Sequence, residues 1–169
     1  MNLIKKLVLL ALLAASALVI QIGLAVIPNV ELVSLWFLII ALTLSFKDSM
    51  ITIFVFSLLE AMVWGFGDWV IGYLWIWGVW IVLIQALKSL FKQNEALWAL
   101  LAAAYGFAFG GLFAIQHGLM YGFNMGVLYW LRGIPFDILH AVSNYILVLL
   151  LFKPLSQTFN RLLRKWSPS

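Results

Sequence analysis

The chain is 169 residues long, 66% hydrophobic and 9% charged, with a mean hydropathy of +1.11 and a formal charge of +4. A soluble domain carries about 25% charged residues, so this chain could not cover its surface with polar groups and reads as one all-α integral membrane domain over residues 1–169. Its scattered basic residues exclude a nucleic-acid stripe, and its lack of cysteine excludes disulfides, thiolate metal sites and cysteine nucleophiles.

Six apolar segments follow in chain order, each near the roughly 20 residues that cross a bilayer as a helix. The first runs from about Leu7 to Ile27 and stops at "PNVE". It is preceded by "MNLIKK", and "ASA" at 15–17 gives it some likeness to a signal peptide, but an unbroken run to Ile27 is too long for such a core. The second, about Leu32 to Phe46, is short and ends at "KDS". The third covers about Met50 to Trp64 and is broken by "GFGDW", where two glycines and an aspartate favour a turn. The fourth spans about Val70 to Phe91, and the fifth about Ala96 to His117. After a loop with a helical piece at "FNMGVLYWL", the sixth is expected to start just after Pro135 and to end at Phe152. The rest, about 154–169, is a basic amphipathic tail suited to a headgroup surface.

In this six-span arrangement Lys5, Lys6, Lys47, Lys88, Lys92, Lys153, Arg161, Arg164 and Lys165 fall on one side and only Arg132 on the other. The positive-inside rule makes the nine-charge side cytoplasmic, with both termini inside. Small residues form two ridges: Ala11 and Ala15 on the first helix, and Ala102, Gly106, Gly110 and Ala114 on the fifth. Such ridges let helices approach closely in lipid, and the second is expected to be an internal contact.

The polar residues gather in the outer half. Glu31, Glu60, Asp68 and Asp137 lie at or near outer helix ends, joined by Asn29, His117, Asn124, Arg132, His140 and Asn144. In "RGIPFDILHAVSN", Asp137, His140 and Asn144 are spaced three and four apart and share one helix face. Ionisable groups facing lipid cost several kcal/mol, so Glu60 and His140 should face protein or a water-filled cavity. With Trp64, Tyr73, Trp75, Tyr121 and Trp130 around them, these residues make a candidate small-molecule site. Polar residues also serve as packing glue between helices, which would suit a membrane scaffold without a ligand. Catalytic motifs are missing: there is no phosphate loop, no H-E-x-x-H and no G-x-S-x-G. Only Asp137 with His140 has metal-ligand or acid–base spacing on one helix, so an enzyme is not expected and no metal or cofactor of its own is assigned.

The six helices, the A-x-x-x-A step of helix one, "IPNVELVSL" at 27–35 and "GIPFDILHAVSN" at the entry to the last helix together resemble the substrate-binding (S) component of energy-coupling factor vitamin transporters. The resemblance covers essentially the whole chain. It implies a multi-pass subunit of a bacterial cytoplasmic membrane that captures a vitamin at the outer face and has no ATPase site of its own. It implies as partners a membrane coupling protein and two cytoplasmic ATPases, with Ala11 and Ala15 as the docking face for the coupling protein. The chain is most similar to members assigned to cobalamin, and pantothenate, riboflavin and thiamine are the alternatives. The candidate pocket wall is then Asn29, Glu31, Glu60, Trp64, Asp68, Tyr73, Trp75, His117, Tyr121, Trp130, Asp137, His140 and Asn144.

Overall fold

The computed structural model describes residues 2–166, and among them there are six helices and no strand. They are α1 (Leu3–Leu24), α2 (Val33–Thr43), α3 (Phe46–Trp64), α4 (Asp68–Phe91), α5 (Glu95–Tyr121) and α6 (Phe123–Trp166). Polar side chains start three of them. Asn2 accepts the Lys5 N–H at 2.9 Å, Ser45 that of Asp48 at 3.2 Å, and Asn94 that of Leu97 at 3.2 Å. These bonds satisfy donors that a first helical turn leaves without a partner. The break between α3 and α4 falls where "GFGDW" places it, with Gly65 at a φ of 86° that a side chain would strain.

Four helices, α1, α4, α5 and α6, are long and apolar enough to cross a membrane. The second segment differs from expectation. At 11 residues α2 is about 16 Å long, half a hydrocarbon core. It is apolar all round, and from Val33 to Ala41 every residue except Trp36 is buried. A helix without a polar face has to be enclosed, and α2 packs against α1, α3, α4 and α6. It forms the centre of the bundle. Phe37 stands edge-on to Phe56 and Trp77 at centroid separations of 5.3 and 5.2 Å, and Trp80 stacks on Tyr105 at 4.5 Å. Lipid tails are as apolar as these rings, so their contribution comes from close packing and ring geometry rather than from expelled water.

The largest correction concerns the last helix. Instead of a loop, a short helical piece and a sixth segment starting after Pro135, one helix of 44 residues runs from Phe123 to Trp166 with Pro135 and Pro154 inside it. Proline lacks the N–H that would bond four residues back, which makes it read as a start signal. Within a packed apolar bundle neighbouring groups absorb that loss and the helix continues. Its inward face carries Asp137, His140, Asn144, Val148 and Phe152, the three-and-four spacing of a single stripe.

The small ridge of α5 receives α6, as expected of an internal contact. An added Cβ on Gly106 would lie 3.0 Å from the His140 carbonyl oxygen and from Asn144 Nδ2, and one on Gly110 would strike the Asp137 carboxylate. The ridge extends one turn further than Ala114. A Cβ on Gly126 would sit 2.7 Å from the Ala114 oxygen and 2.8 Å from Gly118 Cα. Here two backbones touch, as small residues in membrane helices allow.

Two ion pairs tie one end of the bundle: Lys6 to Asp48 at 2.7 Å, joining α1 and α3, and Lys153 to Glu95 at 3.7 Å, joining α5 and α6. The opposite end holds the 25–32 connection, the α3–α4 turn and the start of α6, and with them most of the other acidic side chains.

Candidate functional site

The 25–32 connection is pinned to α6. Asn29 adopts a φ of 57°, a left-handed conformation that asparagine tolerates better than most residues. Its carbonyl accepts the Ser143 hydroxyl at 2.8 Å. Two residues on, Glu31 Oε1 lies 3.1 Å from His140 Nε2, while Oε2 accepts the Ser34 N–H at 2.8 Å. That second bond places a carboxylate on the N-terminal turn of α2, where the helix dipole favours negative charge. Burial opposes ionisation of Glu31, but the His140 ring and the Ser34 bonds outweigh it and hold its pKa below the ordinary 4.5.

Beneath and beside this connection lie two chambers. The outer one, about 630 Å³, is bounded by Asn29, by Trp69 and Tyr73 of α4, by Phe109, Gly110, Phe113 and His117 of α5, and by Met125 to Asp137 of α6. The inner one, about 310 Å³, lies under the connection and reaches Gln21, Glu31, Trp77 and His140. The chambers share Asn29, Tyr73, Phe109 and Asp137, so those four residues form the boundary between them. Rings run along the wall without interruption. Trp69 meets Tyr73 at 5.2 Å, Tyr73 meets Phe113 at 6.2 Å, and Phe113 meets Phe109 at 5.4 Å. His117 stacks on Tyr129 at 4.1 Å, and Phe109 stands edge-on to His140 at 5.1 Å. Chambers of this size with ring walls and a few converging polar groups are typical of small-molecule sites.

Asp137 is the most exceptional group in that wall. It is 6% exposed, its Oδ1 accepts the Gly110 N–H at 3.1 Å, and its Oδ2 has no partner among the described residues. The approach is possible only because Gly110 lacks a Cβ. Buried acceptors without a partner are uncommon and costly, so each asks for a reason.

Of the residues singled out from sequence, Asn29, Glu31, Tyr73, His117, Asp137 and His140 line one or both chambers. Asn144 lies deeper, where its Nδ2 donates to Ser34 Oγ at 3.3 Å and to the Ala102 oxygen at 3.4 Å, joining three helices. Asp68, Trp75 and Tyr121 belong to a polar group above the wall. Tyr121 donates to Asp68 Oδ2 at 3.0 Å, and Gln116 accepts from Trp75 at 3.0 Å and donates to the Asp68 carbonyl at 2.7 Å. Glu60 is buried at 2% exposure, outside both chambers. Trp64 is exposed, and Trp130 faces an apolar groove between α5 and α6. Phe109, Phe113, Trp69, Tyr129 and Phe136 are wall residues that the sequence reading passed over as site residues. The four-residue step Phe109, Phe113, His117 beside the glycine ridge carries the signal that would have found three of the wall positions. Among the described residues no three histidine, aspartate or glutamate side chains gather as a metal-binding group. No protein-family model, curated protein or solved structure matches this chain.

Proposed function

We propose that the protein is the substrate-binding component of an energy-coupling factor importer, embedded in a bacterial cell membrane with both termini on the cytoplasmic side. It takes a vitamin, cobalamin first, into the ring-walled chambers from the outer face. A membrane coupling protein and two cytoplasmic ATPases supply the energy for transport. The observation that carries the reading is the adjoining pair of chambers, placed at the end of the bundle away from the Lys6–Asp48 and Lys153–Glu95 pairs. A ligand site at the end poor in basic residues is where a capture site for uptake belongs, since cytoplasmic ends are the basic ones. A scaffold protein would have no use for an unfilled ring-lined volume, because empty space forfeits packing contacts.

Volumes of 630 and 310 Å³ lie within the range of small-molecule sites. Cobalamin, the largest candidate, would need the 25–32 connection to swing outward, and its tethers at Ser143 and His140 are few enough to allow that. Ala11 is exposed and Ala15 half-buried on α1, whereas Ala14 and Ala17 are buried inside the bundle. The outward A-x-x-x-A step is therefore open to a partner helix, the role proposed for it here.

Calorimetry on the detergent-solubilised chain tests the function, with cyanocobalamin first and then riboflavin, thiamine, biotin and pantothenate. One-to-one binding of cyanocobalamin is expected. Binding of another vitamin would keep the transport role and replace the substrate. A folded protein that binds none of them would overturn the reading.

A further inference from the structure

The boundary between the chambers carries a chemical preference. Asp137 stands there, more than nine-tenths buried, with one oxygen held by the Gly110 N–H and the other without a partner. The side chain borders both chambers, so a ligand group entering either one comes up against this carboxylate. The other acid of the wall, Glu31, is already engaged by His140 and Ser34. Glu60 has an unpartnered oxygen too, but it borders neither chamber. Arg132 borders the outer chamber from an exposed position and is not a buried group. Among the described residues, Asp137 is thus the one buried, incompletely bonded carboxylate that borders the chambers.

We propose that Asp137 is the anchor of the site, and that the protein selects ligands presenting a nitrogen-bound hydrogen, on a protonated amine or a carboxamide, carried next to a flat or bulky apolar group. This deepens the binding role proposed above and rests on it. A carboxylate needs donors, and one N–H from Gly110 leaves most of its acceptor capacity unused. An N–H from the ligand completes it with a charge-assisted bond. The rings of Tyr73 and Phe109, which also border both chambers, lie where the apolar part of such a ligand would rest. If the nitrogen is cationic, the faces of those rings attract it as well. An anionic ligand group would instead meet a buried like charge, a strong basis for rejection. Gly110 belongs to the same device, because any side chain there would displace the carboxylate.

The test uses two small probes of the same shape, benzylamine and benzoate, added to the detergent-solubilised full chain and followed through the fluorescence of its tryptophans. Trp69 and Trp77 border the chambers, so occupancy changes their signal. Saturable binding of benzylamine, at least about tenfold tighter than benzoate, is expected. Asp137→Asn should remove that preference, since the amide keeps the shape and can still accept from Gly110. Lys47→Gln, exposed at the opposite end of the bundle and outside both chambers, should leave it in place. Equal binding of the two probes, no saturable binding of benzylamine, or an unchanged preference in Asp137→Asn overturns the anchor. A vitamin bound in the same preparation would then leave the transport role standing, so the two readings fail separately. Unchanged thermal unfolding of Asp137→Asn guards against a folding defect being read as lost binding.

Discussion

At the scale of single residues, the chemistry of this end of the bundle rests on pairs that bridge distant parts of the chain. Glu31 and His140 are 109 positions apart and lie within 3.1 Å of each other. Replacing Glu31 with glutamine keeps the shape but removes the charge that His140 and the α2 terminus face. Leaving such partly buried groups under-bonded costs about 1–3 kcal/mol, which should lower the thermal midpoint in detergent. The pH dependence has a definite sign. The folded-state pKa of Glu31 lies below its ordinary 4.5. Its contribution to stability is therefore complete above that value and fades as pH falls through the lower, folded one. Melting curves recorded from neutral pH downward should show an acid loss in the wild type that is smaller in Glu31→Gln. Equal acid losses in both proteins would remove the ionised Glu31 carboxylate from the tether.

At the scale of elements, the contact between α5 and the first third of α6 sets the shape of the outer chamber. Met125, Leu128, Tyr129 and Arg132 reach the chamber only because Gly126 rests on Ala114 and Gly118, backbone to backbone. A leucine at 126 would drive these segments apart, since backbone atoms cannot turn aside as a flexible side chain can. Overpacking of this kind costs about 1–3 kcal/mol. Gly126→Leu should lower both the thermal midpoint and ligand affinity. Gly111→Ala is the control, because its Cβ would meet only the Trp130 ring at 3.7 Å, an ordinary contact. If Gly126→Leu behaves like that control, the outer chamber does not depend on the glycine contact. This part of the fold was half legible in the sequence. The four-residue spacing of Ala102, Gly106, Gly110 and Ala114 announced a close helix neighbour, and α6 is that neighbour. The continuity of α6 was hidden, because Pro135 and the glycines around it signal a boundary in isolated chain and lose that meaning inside a packed bundle. Likewise α2 read as a short span, since hydropathy cannot distinguish a helix enclosed by protein from one enclosed by lipid.

At the scale of the whole molecule, the two ends of the bundle and its outer surface are assigned different tasks, and the surface can be tested without disturbing the rest. The polar residues of the site were legible because charge is rare in this chain, and Asp137, His140 and Asn144 stood out as one stripe. Their separate duties were not, because Asn144 bonds to Ser34 and Ala102 while Asp137 borders the chambers, and only three-dimensional neighbours tell those fates apart. The same contrast holds on α1, where four alanines divide between a buried pair, Ala14 and Ala17, and the outward pair, Ala11 and Ala15. A leucine at Ala11 projects away from the core, so it should leave the thermal midpoint and vitamin binding within experimental error. It would also stand about one side chain proud of the face on which the proposed coupling-protein helix would lie close. Ala11→Leu is therefore expected to lower the yield of assembled complex when the chain is co-expressed with a coupling protein and its ATPases. Ala15→Leu, half-buried, should lose assembly as well but also some stability. Wild-type yields of complex from Ala11→Leu would move the docking face off this side of α1, with the ligand site untouched by the result.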